Sequence, residues 1–269
     1  MQTEKVINHI VAWLKDYAKN AGVKGYVIGV SGGVDSGVVS TLCAMTGLEI
    51  LAIEMPIRQQ KDQVNRALEH LEFLAAKFPN VKTKSVDLNE AFEALYRTFD
   101  VKDDEFPNEK LAFANTRSRL RMLSLYYYGQ INGLLVCGTG NKVEDFGIGF
   151  YTKYGDGGVD VSPIADLYKT EVYEIARVLD LPESIKNAIP TDGLWDVDRT
   201  DEQQIGATYP ELEKIQKDWG TKTESDYSGR ELEVFKIFQR MNRAAQHKIN
   251  PIPVCDIPED WRSEHLQSN

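Results

Sequence analysis

Cysteine is scarce: Cys43, Cys137 and Cys255 are the only three in 269 residues, and none forms a CxxC pair. An odd count at wide spacing argues against a disulfide framework and against a cysteine zinc site. The three read as small buried hydrophobes of a reducing compartment. No apolar run approaches the ~18 residues of a membrane span. No apolar h-region follows Met1-Gln-Thr-Glu-Lys5, so no secretory signal is expected, and the chain reads as cytoplasmic. Basic residues are outnumbered, 31 against 41 acidic ones, for a net charge of −10. Nucleic-acid backbones favour a basic face. None is evident, so neither a nucleic-acid nor a membrane partner is expected, and an anionic ligand must be met by a few placed cations and backbone amides. Internal repeats, low-complexity segments and a convincing linker are also missing.

What remains is a chain of ordinary soluble composition, 42% apolar and 27% charged. Val6, Ile7, Ile10, Val11, Leu14, Tyr17 and Ala18 recur at helical spacing. Short apolar runs at Tyr26–Val30, Glu49–Ile53 and Leu134–Cys137, with Lys82–Val86, read as strands. Helical segments lie between them: Val38–Met45, Asp62–Phe78, Leu88–Phe99 and, after a break at Phe106–Asn108, Glu109–Tyr128. Tyr168–Leu179 and Glu231–His247 read as later helices, and Thr221–Ser228 as a loop. Strand–helix alternation predicts an α/β fold: one doubly wound parallel sheet with helices on both faces, Rossmann-like. The expected organisation is one domain over 1–269, with an N-terminal helix at about 1–20, a core at about 21–190 and a C-terminal helical segment at about 191–269.

Ser31-Gly-Gly-Val-Asp-Ser36 falls between a strand and a helix. Glycines let backbone N–H groups turn toward a ligand, and the following helix start attracts anions. Ser31 and Ser36 add hydroxyl donors. Asp35 repels phosphate but suits Mg²⁺ bridging to it. No lysine stands where GxxxxGK[ST] requires one, so this is not a Walker A loop.

Other stretches also invite a ligand. In Asn115-Thr-Arg-Ser-Arg-Leu-Arg-Met122, Arg117 and Arg121 share a helix face and Arg119 points elsewhere, which suggests two jobs or a solvated surface. Gly138-Thr-Gly-Asn-Lys-Val-Glu144 follows a strand, where parallel sheets bind ligands. Thr139 and Glu144 there offer a hydroxyl donor and a metal ligand, or else a cap and a surface carboxylate. Phe150-Tyr-Thr-Lys-Tyr-Gly-Asp-Gly-Gly-Val-Asp160 reads as a ligand-covering loop or a long irregular connection. Lys169 lies near a helix start, where a cation opposes the dipole unless an anion answers it. His247-Lys248 closes the last long helix.

SGGVDS resembles the loop of the PP-loop ATP pyrophosphatases. With FYTKYGDGGVD and PIADLYKT, the chain resembles the ammonia-dependent NAD synthetases in order from Gly29 to Lys248. The resemblance implies an ATP-dependent ligase that makes NAD⁺ from deamido-NAD⁺ and ammonia, with AMP and pyrophosphate leaving. It implies ATP contacts at Gly29, Val30, Ser31, Gly32, Gly33, Val34, Asp35, Ser36, Thr139, Lys169 and Thr191. It implies Mg²⁺ on Asp35 and Glu144, and dinucleotide contacts at Arg119, Lys153, Asp160, His247 and Lys248. It also implies a homodimer with the dinucleotide across the interface. Asp35 and Lys169 would act in adenylation, and Asp156 would hold ammonium or take its proton. The chain has no room for an amidase domain, so nitrogen comes from free ammonia or a separate partner. Two other readings fit less: a PP-loop tRNA modifier would show catalytic or metal-binding cysteines and basic surfaces, and a non-catalytic ATP-binding regulator would not need lid and lysines together.

Overall fold

Four short strands, β1 (Gly25–Gly29), β2 (Glu49–Glu54), β3 (Val81–Ser85) and β4 (Leu134–Val136), pair all-parallel in the order β3-β2-β1-β4. The register places Val27 of β1 between Leu51 of β2 and Val136 of β4. The computed structural model describes residues 1–102, 108–191, 193–194 and 200–262. The expected break at Phe106–Asn108 lies outside them except for Asn108, which precedes a helix.

Ten α-helices are seen among the described residues. They are α1 (Thr3–Ala21), α2 (Val34–Met45), α3 (Lys61–Lys77), α4 (Asn89–Thr98), α5 (Glu109–Asn132), α6 (Lys169–Val178), α7 (Glu183–Lys186), α8 (Asp201–Ile205), α9 (Tyr209–Asp218) and α10 (Gly229–Ile249). A π-helix, Lys142–Ile148, follows β4.

The strand period of two divides the core. Tyr26 and Ile28 of β1, with Ile50 and Ala52 of β2, join one cluster with α1, α2, α3 and α6. Val27 and Ile53 point to the opposite face and join a second cluster with Phe92 of α4 and Phe113 of α5. Helices therefore cover both faces, as the expected doubly wound fold requires. Strand β3 buries only Val81, and Lys82 and Lys84 stand exposed on this edge, where lysines discourage strand addition. A third cluster lies apart: Val143 and Ile148 of the π-helix pack with Tyr209 and Leu212 of α9 and Phe235 and Phe238 of α10.

Two readings of local structure change. Helix α2 begins at Val34, not Val38, so Asp35 and Ser36 are in its first turn rather than in a loop. The cysteines are neither all scattered nor all buried: Cys43 and Cys137 are buried with their sulfurs 3.6 Å apart, whereas Cys255 is exposed. No helix among the described residues is long and apolar enough to cross a membrane.

Candidate active site

The carboxyl ends of β1 and β4 open into a cavity of about 640 Å³, within the range of small-molecule sites. Its floor is the turn from β1 into α2. Ser36 Oγ donates to Gly33 O at 3.0 Å and accepts from Ser31 N at 3.2 Å, which ties the turn to itself. Gly32 has φ +83°, a left-handed conformation costly for other residues, and a Cβ there would meet Gln63 O at 2.8 Å. The start of α2 thus presents free N–H groups and a positive dipole end to the cavity.

Above the turn lies a buried charge cluster. Lys169 Nζ is 2.5 Å from Asp35 Oδ2 and 3.1 Å from Glu144 Oε1. Its side chain is only 4% exposed. Burial alone would lower the ammonium pKa, but the two carboxylates outweigh it and hold Lys169 above its ordinary value, so it stays charged. The sequence leaves Lys169 opposing its helix dipole. The structure answers it with protein carboxylates.

The three charged groups come from three separate elements. Asp35 is on α2, Lys169 is the first residue of α6, and Glu144 is in the first turn of the π-helix. Asn141 caps that π-helix, its Oδ1 accepting from Val143 N and Glu144 N at 3.2 Å each. Its Nδ2 reaches Asp35 Oδ1 at 3.3 Å. The helix start and the aspartate are therefore fixed together.

These groups fit a magnesium ion. Two carboxylates from distant segments converge on one cation, Lys169 Nζ, and both offer the hard oxygen donors that Mg²⁺ prefers. Among the described residues no three His, Cys, Asp or Glu side chains form a ready-made cage.

The glycine-rich stretch forms one wall. Asp156 Oδ1 accepts from Ser118 Oγ at 2.6 Å and from Thr152 N at 3.0 Å, while Asp156 N donates back to Ser118 Oγ at 2.7 Å. Its carboxyl lines the cavity, and partial loss of bulk water there raises its pKa despite those bonds. Lys248 of α10 donates to Gly149 O and to Tyr151 O, and Lys153 donates to His247 O. The end of α10 and the glycine-rich wall thereby brace one another.

Of the residues singled out in the sequence, Gly29 to Ser36, Thr139, Glu144, Asp156, Lys169, Thr191 and Lys248 all line this cavity. Thr191 accepts from Gln63 Nε2 at 3.2 Å. Four others stand off its walls. Arg119 is exposed on α5, and the His247 side chain is exposed. Lys153 is turned to α10. Asp160 accepts from Val136 N at 2.8 Å and Tyr126 Oη at 3.0 Å. Arg121, not Arg119, reaches the cavity, with Nε on Met55 O at 3.1 Å.

Sequence reasoning missed three polar groups. Asp145, beside Glu144, also lines the cavity, and burial followed by the charges of Glu144, Asp156 and Asp35 raises its pKa. Tyr209 Oη is 2.5 Å from Glu144 Oε1 and 3.1 Å from Asp201 Oδ2. No local pattern announces a contact between residues so far apart in the chain. The available signals were two capping boxes, Thr200-x-x-Gln203 at the start of α8 and Thr208-x-x-Glu211, with Pro210, at the start of α9.

Comparison with known proteins places the chain in a family. The family model described as NAD synthase matches residues 6–251. The NH(3)-dependent NAD(+) synthetase of Finegoldia magna is 40% identical over 215 residues, covering 79% of this chain and 84% of that one. The protein of the same name from Syntrophomonas wolfei is 38% identical over 265 residues, 98% and 100% of the two chains. Among solved structures, the NMN synthetase of Francisella tularensis superposes with a TM-score of 0.83 at 29% identity, covering 96% of this chain and all of that one. The chain belongs to the NAD synthase family.

Proposed function

We propose that the protein is an ATP-dependent ligase that converts deamido-NAD⁺ and ammonia to NAD⁺, with ATP leaving as AMP and pyrophosphate. The observation that supports this best is the Asp35–Lys169–Glu144 cluster directly above an anion-binding helix start. The nicotinate carboxylate attacks the α-phosphate of ATP. The N–H groups at the start of α2, with Ser31 and Ser36, anchor the phosphates, and Lys169 stabilises charge on the α-phosphate or the leaving pyrophosphate. Asp35 and Glu144 would hold Mg²⁺, whose chemistry there is to neutralise charge on the phosphate oxygens. Thr139 and Thr191 add hydroxyls to the ATP side. Ammonia then attacks the acyl carbon of the adenylate and AMP leaves. Asp156 holds ammonium or takes its proton, since its raised pKa makes it a better proton acceptor than an ordinary carboxylate.

Lys153, Asp160, His247 and Lys248 contact the dinucleotide in this reading, together with Arg119. Arg119 fits a site completed by a second copy. It heads an exposed row on α5, at four-residue spacing, with Leu123, Tyr127 and Ile131, which are 61%, 59% and 61% exposed. An apolar stripe of this kind suits burial in a homodimer, with the dinucleotide across the interface. The site chemistry draws on ATP, Mg²⁺, ammonia and the nucleotide, which suits a cytoplasmic enzyme.

A second acceptor is favoured by one observation: the superposed Francisella tularensis protein is an NMN synthetase. Nicotinate mononucleotide presents the same reacting carboxylate. Initial rates with ATP, Mg²⁺ and ammonium, run in parallel on deamido-NAD⁺ and nicotinate mononucleotide, compare kcat/KM for the two. A higher value for deamido-NAD⁺ supports the first reading, a higher value for the mononucleotide replaces it with the second, and turnover of neither contradicts both.

A further inference from the structure

We infer that Tyr209 is a positioning residue for Glu144, and that with Asp201 it lets the C-terminal helices set the geometry of the metal-binding carboxylate. The inference rests on the reading that Glu144 holds the divalent ion.

Tyr209 is the first residue of α9, and the Thr208–Glu211 capping box with Pro210 fixes its backbone. Its side chain packs into the C-terminal apolar cluster and is 4% exposed, so it has little freedom to move. Only its hydroxyl emerges on the site side, 2.5 Å from Glu144 Oε1 and 3.1 Å from Asp201 Oδ2. A phenol carries one proton and donates it to one acceptor at a time. The shorter contact assigns that proton to Glu144, with Asp201 as the alternative acceptor. The Lys169 ammonium also lies over the Tyr209 ring, 4.9 Å from its centroid. Tyr209 thus touches both partners in the Lys169–Glu144 ion pair.

The effect on Glu144 is specific. Oε1 is held from two sides, by Lys169 and by Tyr209. Oε2 makes no hydrogen bond among the described residues and is the oxygen left to serve a ligand. A carboxylate fixed this way meets an ion without first surrendering rotamer freedom, which is how groups behind a metal ligand tune affinity.

Tyr209→Phe removes one hydroxyl and keeps the ring, its packing and its contact with Lys169. The test is a Mn²⁺ titration read by the electron paramagnetic resonance of free Mn²⁺, with protein saturated by α,β-methylene-ATP. The variant is expected to bind Mn²⁺ about tenfold more weakly. In turnover, the KM for Mg²⁺ is expected to rise while the KM for the nucleotide acceptor stays put, a split that a general loss of folding would not give. Native Mn²⁺ affinity in Tyr209→Phe overturns the inference. Glu144→Gln serves as the control. If it weakens Mn²⁺ while Tyr209→Phe does not, only the positioning role is refuted. If Glu144→Gln binds Mn²⁺ like the native protein, the metal assignment fails and the inference falls with it. Should Tyr209→Phe melt early, Asp201→Asn is the second variant: it weakens the competing acceptor for the phenol proton, so Mn²⁺ is expected to bind more tightly, and unchanged Mn²⁺ affinity counts against the inference.

Discussion

Folding stability should fall on mild acidification because of one histidine behind the phosphate turn. His70 of α3 is fully buried, stacked near Phe73, with Nε2 2.8 Å from Ser40 Oγ. Ser40 donates its own proton to Ser36 O at 2.7 Å, so Nε2 is the donor of that contact and the ring is neutral. Nδ1 has no hydrogen-bond partner among the described residues. Protonating it would put an unanswered N–H into an apolar core. Burial accordingly lowers the His70 pKa from 6.5 to about 4. The unfolded chain then binds a proton below pH 6.5 that the folded one refuses until about pH 4. The stabilisation is full above the unfolded value and is lost as pH falls toward the folded one. Linkage gives a loss of about 2 kcal/mol between pH 7.5 and pH 5. Urea unfolding of the native protein and His70→Gln at both pH values isolates this group, because every other titration is common to the two. The stability gap between them should close by about 2 kcal/mol at the lower pH. Parallel pH dependence would refute the assigned cause, whatever the two absolute stabilities are.

That contact also shows what a sequence can and cannot reveal. The parallel sheet was legible because β1 and β4 are short apolar runs that must be buried on both faces. The turn before α2 was legible because the whole Ser31–Ser36 string, not its two glycines alone, falls between an apolar strand and a helix. The length of α2 was misjudged because Asp35 and Ser36 are poor interior helix residues, although in a first turn they are favourable. Pairings across the chain were not legible. Cys43 meets Cys137, and Tyr209 meets Glu144, through tertiary packing that has no local period. Arg119 shows the same limit: whether it faces its own cavity depends on where α5 sits against the sheet, and it lies exposed off the cavity walls.

Three other changes follow from the same geometry. Gly32→Ala should cost about 1–3 kcal/mol, from left-handed strain at φ +83°, and should abolish ATP binding by shifting the turn; calorimetric titration with ATP checks it. Asp156→Asn should lower turnover at saturating ammonium by about 10²-fold, as expected for losing a proton acceptor, and unchanged turnover there would remove Asp156 from the mechanism. Tyr127→Lys, in the middle of the exposed α5 stripe, should shift the protein to a monomer in sedimentation velocity and weaken the dinucleotide more than ATP.

The central claim is that an acceptor carboxylate oxygen attacks the α-phosphate while the Ser31–Ser36 turn holds the departing pyrophosphate. Acceptor labelled with ¹⁸O in its nicotinate carboxylate tests this directly, with products read by ³¹P NMR and mass spectrometry. The account predicts AMP carrying one labelled oxygen, unlabelled pyrophosphate, and one NAD⁺ formed per AMP. ADP with labelled inorganic phosphate would contradict it.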